Sequence, residues 1–218
     1  MKYNIINSSS KGNCLIVEDT LAIDMGIPFS KIKYYLKDLK VVFLTHSHGD
    51  HLNKTTIKRI AKERPTLKFV CSQFLAPILV GECYVSKKNI IVLETDKMYD
   101  LGMFSCKMYY LYHDTPNVAY MIQYKGYKLF YGTDTGKIDH ISCPECDYYF
   151  VEANYNEELM QKHIRECIDN NDENQLYYLQ RTVKTHLSDV QMSDFIIKNM
   201  KENGKYCILH KSLYNYEE

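Results

Sequence analysis

At positions 46–51 the chain reads His46-Ser47-His48-Gly49-Asp50-His51, which places four potential metal ligands within six residues. Imidazole and carboxylate groups together suit zinc, iron or manganese. In extended backbone, residues two apart project to the same side, so the first two histidines can hold one ion while the Asp-His pair faces a second. A polar loop with incidental histidines explains this clustering less well, because such residues seldom gather without a role. The stretch therefore predicts a metal site.

The flanking residues place this stretch between a strand and a helix. Val41 to Thr45 is short, apolar and β-branched, as expected of a strand buried on both faces. A helical pattern begins at about Thr55 and stops before Pro65, because proline cannot continue a helix.

The rest of the chain alternates short strands with helices and shows no repeat or low-complexity linker. Further strands are predicted at 14–17, 21–23, 68–71, 89–93, 104–112, 118–124, 128–131, 148–152 and 206–209. Helices are predicted at 157–168 and 188–201, and an earlier helical pattern covers 32–39. The order fits two packed sheets with helices outside, although the pattern alone equally allows other α/β layouts.

Length and composition indicate one globular domain over residues 1–218, with two small domains as the weaker alternative. Apolar residues make up 45% and charged residues 25%, which is ordinary for a folded protein. No apolar run approaches the roughly 18 residues of a membrane helix, and the N-terminus lacks a signal pattern. We therefore expect a cytoplasmic protein with no membrane partner.

Formal charge is zero, with 27 basic and 27 acidic side chains, so no global basic field marks a nucleic-acid binder. A nuclease can still recruit phosphates through metal ions and a few local Lys and Arg residues. Tyrosine clusters at 109–112 and 177–178 could stack on bases. Half-buried packing on strands is the more common role of such tyrosines.

The eight cysteines suit reduced thiols, because disulfide frameworks belong to short secreted chains. Cys143 and Cys146 form the one close pair. A structural zinc site needs a second such pair, which the sequence does not supply.

The motif His-x-His-x-Asp-His after a strand resembles the signature of the metallo-β-lactamase superfamily. Other functional residues of that superfamily have counterparts here, in the right order before and after the motif: Asp24, His113, Asp134 and His210. The resemblance implies an α+β fold, a four-layer αββα sandwich of two packed β-sheets with helices on the outer faces. It also implies two divalent metal ions, Zn²⁺ or Mn²⁺, with iron as an alternative.

The resemblance also implies how the ligands divide between the ions. The first site would use His46, His48 and His113, and the second Asp50, His51 and His210, with Asp134 reaching both. Asp24 would orient a ligand by hydrogen bonding.

Four segments are similar to the WalJ/YycJ-like exonuclease group within this superfamily. They are Ser8 to Cys14, Phe150 to Tyr155, Thr185-His186-Leu187-Ser188 and Leu209-His210-Lys211-Ser212. Ser8 stands where glycine usually leads, and Tyr155 replaces a histidine. These departures from the group's pattern bear more on the identity of the substrate than on the type of reaction.

That group implies hydrolysis of nucleic-acid phosphodiesters, specifically 5′-to-3′ DNA exonuclease activity through a metal-bridging hydroxide. The catalytic residues implied are Asp50, His186 and Asp134. Substrate contacts are implied for Ser9, Asn13, His186 and Ser188. For His186 the alternative is capping of the following helix together with Ser188.

Two other functions remain open. A small-molecule hydrolase on the same scaffold would act on a cyclic nucleotide, another phosphodiester, a thioester or a lactam. A non-catalytic binding protein is the second alternative, although every implied ligand position holds a competent residue. About fifty residues separate Asp134 from His186, which leaves no room for the large clamp-like insertion of RNA-processing relatives. Metal identity and oligomeric state stay open.

Overall fold

The computed structural model describes residues 1–212, which fall into two compact units, Met1–Tyr99 and a second that begins at Asp100. Each unit has its own mixed β-sheet and apolar core. The single domain over residues 1–218 stays a prediction. No helix among the described residues has the length and apolarity needed to cross a bilayer.

The first unit is built on a six-stranded sheet in sequential order. Its strands are β1 (Tyr3–Ser9), β2 (Gly12–Val17), β3 (Leu21–Ile23), β4 (Val41–Phe43), β5 (Lys68–Ser72) and β6 (Ile90–Leu93). The first three strands pair antiparallel, and β3 to β6 pair parallel. Its helices are α1 (Phe29–Ile32), α2 (Lys54–Glu63) and α3 (Ala76–Gly81).

Helix α2 shows how the sequence fixes these elements. The Asn53 side chain accepts the Thr56 N–H and so caps the first turn. Ile57 and Ile60 are fully buried in the core of this unit, and the helix ends at Glu63, two residues before Pro65. The helical pattern predicted over 32–39 is wrong beyond Ile32, because the chain continues there as turns.

The second sheet has six strands in the order β12-β11-β10-β9-β8-β7, and all but its edge strand β7, which spans the unit boundary, lie within the second unit. Its strands are β7 (Met98–Asp100), β8 (Phe104–Leu111), β9 (Asn117–Tyr124), β10 (Tyr127–Gly132), β11 (Tyr148–Glu152) and β12 (Lys205–Leu209). Strands β8, β9 and β10 pair antiparallel, whereas β10, β11 and β12 pair parallel. The helices of the second unit are α4 (Glu157–Asp169), α5 (Glu173–Thr185) and α6 (Asp189–Asn199).

Aromatic residues dominate the core of the second unit. Phe130, Tyr149 and Phe195 are almost fully buried, and the rings of Phe130 and Phe195 lie 5.1 Å apart between centroids. The Tyr149 hydroxyl donates to the carbonyl of Asn199 at 2.7 Å, which ties β11 to the end of α6. The packing fixes both elements that lead into the candidate site.

Candidate functional site

Sheet polarity gathers several of the predicted site residues of the second unit at one edge. Strands β10, β11 and β12 are parallel, so their carboxyl ends meet there. Asp134 lies two residues beyond β10, Glu152 ends β11, and His210 directly follows β12. His113 lies two residues beyond β8, which has the same direction as β10.

Asp134 and His210 both adopt left-handed backbone, with φ of 58° and 50°. Non-glycine residues seldom take this conformation, which costs on the order of 1–2 kcal/mol each. At Asp134, hydrogen bonds stabilise the left-handed conformation, since the Asn117 side chain donates to the carbonyls of Thr133 and Asp134 at 2.9 and 2.7 Å. The sharp turn ends the strand and redirects the side chain.

Four side chains of the second unit form a candidate metal cluster. Each of Asp134, Glu152, His186 and His210 offers a ligand atom, and these atoms lie within 4.8 Å of one another. Asp134 Oδ1 lies 3.6 Å from both His186 Nδ1 and His210 Nε2. The two imidazoles stack with centroids 5.2 Å apart. One carboxylate thus faces two histidine rings.

Glu152 holds this cluster together, although no role was predicted for it from the sequence. Its fully buried carboxylate accepts from the Thr135 N–H at 2.7 Å and from the Leu187 N–H at 3.3 Å. His186 Nδ1 lies 2.9 Å from the other oxygen. The sequence contains one indication of this role, because Glu152 is a charged residue at the end of an otherwise apolar strand. Glu152 therefore fixes the His186 ring.

The junction of α5 and α6 supplies His186 and supports His113. His113 Nδ1 lies 3.1 Å from the Thr185 carbonyl, so it carries a proton and Nε2 is the ring atom suited to a metal. The His113 and His186 rings are 5.7 Å apart. Asn154 donates to the His210 carbonyl at 2.9 Å and lies 3.2 Å from its Nδ1. Asn154 is a second supporting residue for which no role was predicted.

In the first unit, His46 and His48 converge as predicted from their spacing. His46 Nε2 and His48 Nδ1 are 3.2 Å apart. Two nitrogen ligands at about 2.0 Å from one tetrahedral zinc ion lie about 3.3 Å apart. The pair therefore has the separation that one ion needs. Thr45 Oγ1, 3.0 Å from His46 Nδ1, orients the first ring.

Asp24 lies beneath this loop, directly after β3, with φ of 59°. Its fully buried carboxylate accepts from the Thr45 N–H at 2.9 Å and from His51 Nδ1 at 2.7 Å. Asp50 Oδ2 lies 3.6 Å from His51 Nε2. Asp24 thus fixes the His51 ring, whereas the metal-binding roles of His51 and Asp50 stay predictions.

Two residues predicted to contact substrate are instead buried in structural hydrogen bonds. Ser188 is fully buried, accepts the Gln191 N–H as the cap of α6 and donates to Glu157 at 2.7 Å. Asn13 is 1% exposed, and its amide lies 2.8 Å from His51 Nε2 and 3.1 Å from the Ser9 carbonyl.

These contacts correct the substrate-binding assignment of both residues, because neither presents a surface to a ligand. Ser9 Oγ accepts from the Lys11 N–H at 3.2 Å and so shapes the β1–β2 turn. Its substrate contact stays a prediction. The alternative role of His186 in capping is also wrong, since Ser188 and Gln191 form that capping box and the His186 side chain meets Glu152.

The close cysteine pair is separate from these residues. Cys143 and Cys146 are both buried, and their sulfurs are 3.5 Å apart. No third histidine, cysteine or carboxylate among the described residues completes a metal group with them. The hydrogen bond to Cys143 and burial raise the pKa of the Cys146 thiol well above its ordinary value.

The chemistry of the donors decides whether metal ions fit. Imidazole nitrogens and carboxylate oxygens are ligands for zinc, manganese and iron, and buried His and Asp clusters are rare without such a role. The 3.2 Å separation of His46 and His48 and the cluster around Asp134 both meet this requirement. The residues of each unit therefore fit divalent metal ions.

Comparisons with known proteins relate most of the chain to one family. The sequence profile described as "beta-lactamase superfamily domain" matches residues 24–196. Ribonuclease J of Mycobacterium tuberculosis is 25% identical over 126 residues, which are 56% of this chain and 22% of that protein. This chain thus spans about a fifth of the length of the curated relatives it matches.

Solved structures share the fold at lower sequence identity. The metallo-beta-lactamase fold protein YhfI from Bacillus subtilis is 17% identical with a TM-score of 0.69, covering 96% of this chain and 85% of its own. Human tRNase Z, short form, is 14% identical with a TM-score of 0.69, covering 98% and 93%. At these identities the likeness concerns the fold alone.

Proposed function

The chain belongs to the beta-lactamase superfamily, and from that premise we propose that it is a metal-dependent phosphodiesterase that hydrolyses nucleic acid. His46, His48, Asp50, His51, His113, Asp134 and His210 are the proposed ligands of two divalent ions, zinc or manganese. The cytoplasm is its proposed location. A small-molecule hydrolase is the alternative on the same fold.

The observation that carries this proposal is the cluster around Asp134. A buried carboxylate lies 3.6 Å from two imidazole nitrogens at the carboxyl edge of parallel strands. Such an arrangement is costly to bury without a positive partner. A protein with only a structural or binding role has no need to maintain it.

Divalent ions in such sites lower the pKa of water and neutralise the charge of a phosphate undergoing displacement. The side chains supply orientation and proton transfer. His186 keeps 17% of its side-chain surface exposed, whereas Asp134 and Glu152 expose 4% and 0%. Among these three, His186 is therefore the group that reaches a substrate.

Glu152 fixes the His186 ring through Nδ1, which leaves Nε2 to donate a proton to the departing oxygen. Asp50 and Asp134 are proposed to orient the attacking water. His186 and these two aspartates thus form the proposed catalytic set.

The finer proposal is a 5′-to-3′ DNA exonuclease, which rests on the four segments similar to the WalJ/YycJ-like group. RNA is the second candidate substrate, because the names of the relatives, ribonuclease J and tRNase Z, refer to RNA. Both candidates use the same phosphodiester chemistry.

The test incubates metal-loaded protein with 5′-phosphorylated DNA, matching RNA and bis(4-nitrophenyl) phosphate, beside an Asp134→Ala variant. We expect cleavage of a polynucleotide and of the small phosphodiester, and a loss of at least about 100-fold in the variant. Cleavage of a lactam or thioester with all three phosphodiesters intact would overturn the nuclease proposal. Equal activity of the variant would overturn the site.

A further inference from the structure

A groove of about 430 Å³ opens beside His113 in the second unit. Strand β8 and its following residues form one wall, with Tyr110 and Tyr112, and helix α5 forms the other, with Tyr177, Arg181 and Lys184. We call this feature the tyrosine groove. Its volume lies within the range of ligand-binding clefts, roughly 300–1,000 Å³.

Three tyrosines in this groove present their rings to solvent. Tyr110, Tyr112 and Tyr177 are 45%, 47% and 71% exposed. The rings of Tyr110 and Tyr112 meet edge to face with centroids 5.3 Å apart. Large aromatic side chains usually expose a much smaller fraction of their surface to solvent. Groups of exposed aromatic rings mark interaction surfaces. The half-buried packing expected from the sequence therefore does not hold for Tyr177.

Two cationic side chains follow Tyr177 along α5. Tyr177, Arg181 and Lys184 are spaced four and three residues apart, so they share one face of the helix. Arg181 bonds Asp114 at 2.6 Å through one nitrogen, and its planar group has further N–H donors. With Lys184 included, the groove keeps a net positive charge.

The groove also adjoins a proposed metal ligand. Tyr112 and Asp114 flank His113 in sequence, and Thr185 at the end of α5 accepts the His113 Nδ1 proton. A chain lying in the groove therefore passes next to the side chain proposed to hold a metal ion.

We propose that the tyrosine groove binds single-stranded polynucleotide and feeds it to the site, an inference that rests on the proposed nuclease function. Exposed tyrosines stack on unpaired bases, and the neighbouring cations pair with phosphates. Bases in a duplex are already stacked on each other and cannot lie on these rings. The groove therefore selects single strands over duplex.

The test measures the binding of fluorescein-labelled oligo-dT to the full chain by anisotropy, without cleavage, in the Asp134→Ala background. We expect Tyr112→Ala and Tyr177→Ala each to weaken binding about tenfold, the value of one stacked base. Tyr177→Phe should restore the affinity, because phenylalanine keeps the ring. The matched control is Tyr34→Ala, since Tyr34 is 73% exposed and also lies beside a lysine, but outside the groove.

Charge is tested separately with Lys184→Gln against Lys37→Gln, an exposed lysine of the first unit. The first change should reduce the slope of log affinity against log salt by about one, and the control should leave it unchanged. The proposed role of the groove would be overturned if wild type and both tyrosine variants bound oligo-dT equally well. It would also be overturned if wild type bound a duplex of the same length as tightly as the single strand. Because binding is read without cleavage, that failure is distinct from a failure of the phosphodiesterase proposal.

Discussion

Three predicted site residues, Asp24, Asp134 and His210, follow the ends of strands in left-handed backbone. Such conformations persist only where the surroundings enforce them, and they concentrate at functional sites. The sequence identified all three through family motifs. It could not show their backbone conformation, because Asp and His do not demand positive φ as glycine does.

Residues that support the ligands were harder to find. Glu152 and Asn154 lie within the segment Phe150 to Tyr155, which resembles a family motif, yet their partners, His186 and His210, are 34 and 56 residues away. A single sequence does not reveal such pairings. Conversely, Ser188 and Asn13 belong to motifs but are buried by capping and turn contacts.

At this scale, Glu152→Gln should lower kcat on bis(4-nitrophenyl) phosphate by about 10- to 100-fold, the usual cost of losing an orienting partner. The amide keeps the volume but no longer offers two acceptor oxygens to His186 and Thr135. Steady-state kinetics measure this, with circular dichroism confirming the fold. Glu158→Gln, on the first turn of α4, is the control. Full activity of Glu152→Gln would show that Glu152 has no role in the site.

Asp147 provides a pH-dependent prediction. Burial raises the pKa of its carboxyl, but the hydrogen bonds from Lys201 and the Lys128 N–H outweigh this, and the net pKa lies below the ordinary 3.8. The interaction therefore stabilises the fold above about pH 4 and is lost as pH falls through the lower folded pKa.

Asp147→Asn should thus reduce the free energy of unfolding by at most about 1 kcal/mol at pH 7, because solvent screens this partly exposed pair. Urea denaturation at several pH values measures the difference. It should shrink steadily as the pH is lowered below about 4, and a difference independent of pH would contradict this account.

At the scale of elements, the sequence predicted most strands because their apolar runs are short and bounded by turn residues. Strand β11 was predicted with its observed bounds, and α4 within one residue. Helix α5 was missed, because Tyr177, Tyr178 and Val183 interrupt its polar face with exposed apolar residues and blur the periodicity. The groove built on that helix was therefore also missed.

The capping role of Ser188 predicts a change in stability without a change in substrate affinity. Ser188→Ala removes the acceptor of the Gln191 N–H and the donor to Glu157, which should cost about 1–2 kcal/mol. Urea denaturation measures this, with Asn53→Ala, the cap of α2, as the comparison. A raised KM with unchanged stability would restore the substrate-binding assignment.

Close backbone packing around the His46–His51 loop yields another prediction. A β-carbon on Gly26 would lie 1.6 Å from the Asp50 carbonyl oxygen, whereas one on Gly49 meets nothing within 4 Å. Gly26→Ala should therefore destabilise the protein by about 3 kcal/mol, and Gly49→Ala by less than about 0.5 kcal/mol. Thermal unfolding compares the two. Similar losses at both positions would contradict the described path of the loop.

At the scale of the whole molecule, the predicted metallo-β-lactamase fold is confirmed by the profile over residues 24–196 and by solved structures covering 96–98% of the chain. Pattern reading alone left other α/β layouts open, and the ordered metal-ligand motifs decided between them. Substrate identity did not follow in the same way, because one fold supports many hydrolytic reactions.

The most direct test of the central claim is the metal content of the purified chain after loading with zinc or manganese and dialysis, measured by plasma mass spectrometry. We expect two divalent ions per chain for wild type and a reduced content for His46→Ala and Asp134→Ala, with Tyr34→Ala unchanged. A wild type that retains no metal, or variants that retain as much as wild type, would contradict this expectation.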